Sequence, residues 1–177
     1  MFTTLALAAL ASPTLTVADL GCGAGFFTTF LAQRVTKVIA VDHSSAMLEE
    51  ARKSIEATGS DPSLQVEFRP GDLEALPLED GEVDAVVANL VLHHLAEFGA
   101  VVGELARVLK PGGSVVISDL RPHGEEWMRE EMGDLRLGID PEELLHAFRL
   151  GPFENVQEIS VEDRYRMRSQ RGKTVPL

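Results

Sequence analysis

The stretch VADLGCGAGF, Val17 to Phe26, sets a carboxylate two residues before three glycines spaced as G-x-G-x-G. Glycine this dense between an apolar run and a helical pattern lets backbone pass close to something that a Cβ would obstruct. Leu15 to Leu20 (LTVADL) reads as a short buried strand ending at the glycines, and Phe26 to Arg34 has helical character. A strand that delivers a glycine loop into a helix is an α/β junction, and the rest of the chain must say what the loop approaches.

The same alternation repeats downstream. Lys37 to Val41 (KVIAV) is a second buried strand ending in Asp42, and Ser44 or Ser45 caps a helix that runs to about Thr58 and stops at Gly59. Gln65 to Phe68, Val83 to Asn89 and Ser114 to Asp119 supply three more strands. Between the last two, Phe98, Val101, Val102, Leu105, Val108 and Leu109 recur at helical spacing before Lys110-Pro111-Gly112-Gly113. Strands buried on both faces with helices between them predict a doubly wound, mostly parallel α/β sheet with right-handed crossovers. Asp140-Pro141-Glu142-Glu143 predicts a helix start, with Asp as cap, Pro first and Glu reaching back, and the helix runs to about Phe148. Val156 to Val161 and the chain from Tyr165 onward are expected as a sixth and a seventh strand, hairpin-like, the last one incomplete.

Composition bounds the partners. A chain of 177 residues fits one domain: a lead-in over 1–13, a cofactor-binding core over 14–120, and a lid helix with terminal strands over 121–177. Sixteen basic against 28 acidic side chains leave a net charge of −12, so nucleic acid is not expected as a partner of this chain alone. The basic stretch Arg164 to Lys173 reads as a solvated edge or tail. Cys22 is the single cysteine, which excludes an internal disulfide and any cysteine-based metal site and suits a cytoplasmic protein. LALAALAS, Leu5 to Ser12, lacks the basic flank of a signal peptide and reads as a short helix leading into the fold. No run reaches the roughly 18 apolar residues of a membrane span.

In an open α/β sheet, ligands lie outside the carboxyl ends of the strands at the switch in strand order. The polar residues here fall at those ends: Asp19 and the glycines after the first strand, Asp42 after the second, Gly71-Asp72 after the third, Asn89 after the fourth. An acid at the tip of the second strand suits a ribose diol, Asp72 suits an adenine amine, and the Leu73 N–H suits a ring nitrogen. Several adenosine cofactors meet that description. A dinucleotide site spaces its glycines as G-x-G-x-x-G and holds a diphosphate; Asp19 would repel one, whereas beside an ammonium or a sulfonium it helps.

The runs D-L-G-C-G-A-G-F, V-I-A-V-D, G-D-L-E-A-L-P and L-K-P-G-G, in this order and register over residues 15–120, resemble the class I S-adenosylmethionine-dependent methyltransferases. Within that class, N-L-V-L-H-H-L and A-R-V-L-K-P-G-G resemble the ubiquinone/menaquinone-type small-molecule enzymes. R-P-H-G-E-E-W-M-R-E-E-M-G-D-L-R-L-G-I-D-P-E-E-L resembles the methyltransferase domain found behind winged-helix repressors of the arsenic-sensor type. The resemblance implies a Rossmann-like sheet and S-adenosylmethionine as cofactor. It also implies roles: Asp19 near the methionine amino group, Gly21, Gly23 and Gly25 giving close backbone approach, Asp42 on the ribose, Asp72 and Leu73 at adenine, and Asn89 near the methyl end. Met47 either touches adenine or packs in the core, and Cys22 is a small filler in the loop.

The expected activity is methyl transfer to a small-molecule acceptor; the alternative is a module that senses the cofactor or its product without turnover. Positioning and exclusion of water carry much of such a reaction. His94 is the candidate general base, ahead of His93, against a role in capping or packing. His123, Glu125 and Glu126 read as a solvated face rather than metal ligands, because adjacent glutamates on a helix splay apart, and no metal is expected. Trp127 reads as part of a lid or as packing. A single cysteine argues against arsenite as acceptor. The acceptor pocket is either open or completed by the second subunit of a homodimer.

Overall fold

Successive residues of the apolar runs turn to opposite faces of one sheet, which makes both faces hydrophobic. The structure, a computed structural model, describes residues 14–57, 65–160, 166–168 and 174–176. Its elements are β1 (Thr16–Leu20), α1 (Phe26–Ala32), β2 (Lys37–Asp42), α2 (Ser45–Ala57), β3 (Gln65–Pro70), β4 (Val83–Asn89), a 3-10 turn (Leu92–His94), α3 (Gly99–Val108), β5 (Leu109–Ser118), α4 (Trp127–Met132), α5 (Pro141–Leu150), β6 (Arg166–Arg168) and β7 (Thr174–Pro176). The five main strands lie in the order β3-β2-β1-β4-β5, and every pairing among them is parallel.

Ala18 and Leu20 of β1, Ile39 and Val41 of β2, and Val86 and Ala88 of β4 point to one face, where Val101, Val102, Leu105 and Val108 of α3 and Phe148 of α5 cover them. Their neighbours Val17, Val38, Ala85 and Val87 point to the other, against Phe27, Leu31 and Ala32 of α1, and Ala40 meets Leu48 of α2 there. The period-2 alternation of a doubly covered strand is thus read directly in the side chains. Asp19 and Asp42, continuing the Val17 and Val38–Ala40 rows, fall on the face that α1 and α2 cover.

The helix starts behave as their caps dictate. Ser44 Oγ accepts from the Met47 N–H at 3.3 Å, and Asp140 accepts from the Glu142 N–H at 2.9 Å with Pro141 in the first turn. Glu143 does not reach back to close a capping box; its carboxylate takes Arg136 Nη1 at 2.8 Å instead. β5 begins at Leu109 rather than Ser114, because Leu109 pairs with Val83 before Ser114 pairs with Ala85, leaving Lys110–Gly113 as an irregularity within the strand.

The expected sixth strand is a correction. Residues 156–160 form no ladder: Val156 packs on the core while Ile159 stays half exposed, and Arg121 holds the segment at its side through Glu158 and Ser160. The antiparallel pair is formed instead by β6 and β7, apart from the main sheet. The expected N-terminal helix, the stop of α2 at Gly59 and most of the basic stretch 164–173 lie outside the described residues.

Candidate functional site

The strand order reverses between β1 and β4: the chain leaves β1 toward β2 and β3, then returns to β4 on β1's other side. A cleft opens at that point, as the switch-point rule requires. Its volume is about 210 Å³, and Asp19, Gly21, Cys22, Phe26, Phe27, Asn89 and Leu90 line it.

The glycine loop is tied down from the neighbouring strand. Gly21 and Cys22 donate their N–H groups to the Val41 carbonyl at 2.8 and 3.1 Å, and Gly23 donates to Asp42 Oδ2 at 2.8 Å. Gly21 has φ +66°, and a Cβ there would sit 2.2 Å from Val91 Cγ2, so no other residue lets the loop pass the segment leading into the Leu92–His94 turn. Gly23, at φ +51°, has no protein atom within 4 Å of where its Cβ would stand. Its bare face is open space available to a ligand.

Asp19 is buried at the floor of the cleft, and Thr28 of α1 donates its hydroxyl to Asp19 Oδ2 at 2.5 Å. Burial pushes the Asp19 carboxyl up to about 7; the Thr28 hydrogen bond pulls it back and the nearby Asp42 charge raises it further. Near neutral pH the acid is therefore poised between its two forms, and a cation placed beside it would favour the carboxylate. Cys22, buried in the same loop, has its thiol pushed up to about 12, by burial first and then by the Asp19 and Asp42 charges. It is not a thiolate at neutral pH.

Asp42, at the end of β2, is also buried. Its Oδ1 accepts from the Ser44 N–H at 2.9 Å, its Oδ2 from Gly23, and its backbone carbonyl from the Gly71 N–H at 3.1 Å. The tips of β1, β2 and β3 are in this way bonded in series. Asp72 and Leu73 follow Gly71 at the far end of that series: Asp72 is exposed, with Oδ1 accepting from the Glu74 N–H at 2.8 Å, and Leu73 packs partly on the core. Met47 is 39% exposed on the first turn of α2, so the packing alternative for it is corrected; Ser44, its cap partner, starts the helix with this side chain outward. Of the expected set, Asp19, Gly21, Cys22 and Asn89 meet in the cleft, Gly23 and Asp42 bond to each other beside it, Gly25 precedes α1, and Met47, Asp72 and Leu73 stand outside its lining.

Three residues of the site carry no local signal. Thr28 looks like an ordinary helix threonine, yet it is fully buried on Asp19. Leu90 adopts φ +54°, a left-handed conformation that leucine disfavours, with its N–H bonded to the Ser118 carbonyl at 2.8 Å. Phe26 lines the cleft at 87% exposure.

Beyond the cleft, the turn after β4 carries the histidine pair. His93 is buried, with Nδ1 at 2.7 Å from Asp119 Oδ1 at the end of β5. Burial opposes its charge, but the hydrogen bond and the charges of Asp119 and Asp134 outweigh it and raise its pKa. His94 is exposed, with Nδ1 at 3.4 Å from the Gly133 carbonyl. Trp127 is buried and donates Nε1–H to Glu125 Oε2 at 2.9 Å, while His123 Nδ1 accepts from the Glu125 N–H at 3.3 Å. Glu126 is solvated as expected; Glu125 is not, since it anchors the tryptophan. No helix among the described residues is long and apolar enough to cross a membrane.

A parallel doubly wound sheet with a glycine loop, a buried acid and a second acid one strand over, all at the switch point, defines a protein of the nucleotide-cofactor α/β class. The chain belongs to the methyltransferase domain family, which matches residues 18–117. Among curated relatives, an arsenite methyltransferase of Halobacterium salinarum is 41% identical over 118 residues, covering 65% of this chain and 29% of that protein. A demethylmenaquinone methyltransferase of Thermus thermophilus is 36% identical over 108 residues, covering 60% of this chain and 47% of that protein. The chain thus spans less than half the length of either. A structure from Bacillus halodurans C-125, assigned to a methyltransferase, superimposes with a TM-score of 0.76 at 26% identity over 86% of this chain and 68% of that one.

Proposed function

We propose that this chain binds S-adenosylmethionine in the β1/β4 cleft and transfers its methyl group to a small-molecule acceptor. The observation that carries the reading is the buried Asp19, bonded to Thr28 at the floor of a glycine loop whose Gly23 leaves open space. An anionic diphosphate gains nothing from that acid, whereas an ammonium group relieves the cost of its burial.

Bound there, the cofactor supplies an electrophilic methyl group on a sulfonium. Asp19 holds the amino group and Asp42 accepts from the ribose hydroxyls. Asp72 and the Leu73 N–H would serve the adenine edge, with Met47 beside it. Gly21, Gly23 and Gly25 let the backbone approach, and Asn89 stands toward the reacting end. Phe27, buried at the cleft wall, keeps water from it. Holding an acceptor at roughly 3 to 3.5 Å from the methyl carbon accounts for much of the rate in such a reaction. His94, exposed on the turn after β4, takes the acceptor's proton.

The acceptor class follows from what the chain offers: a net charge of −12 suits no polyanion, and the relatives named for demethylmenaquinone act on a small molecule. Arsenite, the substrate in the other relative's name, finds no support in a chain whose single thiol is buried and protonated. Calorimetric titration with S-adenosylmethionine and S-adenosylhomocysteine, then mass spectrometry of a metabolite pool incubated with the first, tests the reading. Binding of both and a product heavier by one methylene are expected; absence of binding overturns the cofactor, and binding without product overturns turnover.

A further inference from the structure

Asp134, in the connection between α4 and α5, is the one acid among the described residues whose two carboxylate oxygens are both buried without a hydrogen-bond partner. Its side chain is 0% exposed. A carboxylate in that state is strongly disfavoured unless a cation faces it. The group in front of it is His93, whose Nε2 stands 3.7 Å from Asp134 Oδ1, beyond hydrogen-bonding distance. The His94 ring lies tilted at 49° to the His93 ring with centroids 4.3 Å apart, and one ligand atom from each of His93, His94 and Asp134 lies within 4.8 Å of the others.

We propose that His93, His94 and Asp134 form a site for a first-row divalent transition ion of the zinc type. Two imidazoles and one carboxylate suit such an ion better than magnesium or calcium, which take oxygen ligands. Around an ion with bonds of about 2.0 to 2.2 Å, neighbouring ligand atoms stand roughly 3.3 to 3.6 Å apart; the 3.7 Å His93–Asp134 separation closes with a small contraction, and the exposed His94 side chain, within 4.8 Å of the others, must swing inward by about 1 Å.

The surroundings are arranged as an outer shell arranges ligands. Asp119 binds His93 Nδ1 at 2.7 Å, which orients the ring and leaves Nε2 facing Asp134. Asp119 is itself fixed by the N–H groups of Leu92 at 2.9 Å and Leu120 at 2.7 Å. Arg136, two residues after Asp134, donates its N–H to the His93 carbonyl at 3.0 Å and its Nε–H to the Leu95 carbonyl at 3.0 Å. Those bonds staple the segment carrying the carboxylate to the turn carrying the imidazoles. Three protein ligands would leave a coordination position open. With an ion bound, His94 would be a ligand and its imidazole would not be free to take a proton. The inference does not rest on methyl transfer, because metal binding is read whether or not a methyl group moves.

The test is a titration of the untagged full chain, stripped with a chelator, with Co²⁺ followed by its visible d–d absorption, then displacement by Zn²⁺. One Co²⁺ per chain with the intense bands of a four- or five-coordinate ion is expected. Asp134→Asn and His94→Ala should each weaken it by at least about tenfold, and His146→Ala, on α5, should leave it unchanged. His94 is exposed, so its variant decides the matter if Asp134→Asn does not fold by circular dichroism. No stoichiometric binding, or affinity unchanged in His94→Ala or in a folded Asp134→Asn, overturns the site.

Discussion

The hydroxyl of Thr28 and the carboxylate of Asp19 meet at 2.5 Å with both residues buried, so the first helix after the glycine loop partly offsets the effect of burial on the acid before it. Replacing Thr28 by Val removes the interaction that lowers the Asp19 pKa and leaves burial unopposed. The expected result is cofactor affinity at neutral pH weakened by about tenfold, the scale of a hydrogen bond to a charged group, read by calorimetry.

Asp19 also predicts a pH dependence. Its carboxyl lies at about 7 against an ordinary 3.8, so the folded chain holds this proton more tightly than the unfolded one. The stabilisation is complete below the ordinary value and is lost as pH rises through about 7, on the order of 4 kcal/mol in all. Asp19→Asn should remove that slope, so urea unfolding across this window should show the variant gaining on the parent as pH rises. Affinity for a cationic ligand should run the opposite way in the parent, strengthening as pH rises through the same value. A parallel pair of stability curves would show that Asp19 is not the titrating group.

Gly23→Ala separates binding from folding. A left-handed alanine costs about 1 to 2 kcal/mol, but its Cβ meets no protein atom within 4 Å. The variant should fold with a modest drop in melting temperature and lose most cofactor affinity. Gly21→Ala should instead be strongly destabilised, since its Cβ lands 2.2 Å from Val91 Cγ2.

Asp42→Ala removes the acceptor for both the Gly23 and the Ser44 N–H. Cofactor affinity should fall by more than about tenfold, with a stability loss of roughly 1 to 3 kcal/mol for the orphaned donors. Unchanged affinity would take Asp42 out of the site.

His94→Ala should lower the turnover number by roughly 100-fold or more with little change in cofactor affinity, because His94 stands outside the cleft lining. Full activity in this variant would remove His94 from the chemistry.

The parts of the site legible in the residues are those that end strands. Asp19, Asp42 and Asn89 each close an apolar run, so position along the chain and position at the sheet edge are the same information. Thr28 and Asp134 were not legible, because their burial comes from packing: α1 lies over the end of β1, and the α4–α5 connection folds back on the turn after β4. Val156 to Val161 misled for the related reason that a strand-like pattern needs a partner. Its outward residues found Arg121 rather than a neighbouring strand.

The bond from the Gly23 N–H to Asp42 Oδ2 makes two recognition elements one mechanical unit. Any disturbance of the Asp42 carboxylate is therefore felt directly at the Gly23 N–H, and any shift of the loop at Asp42.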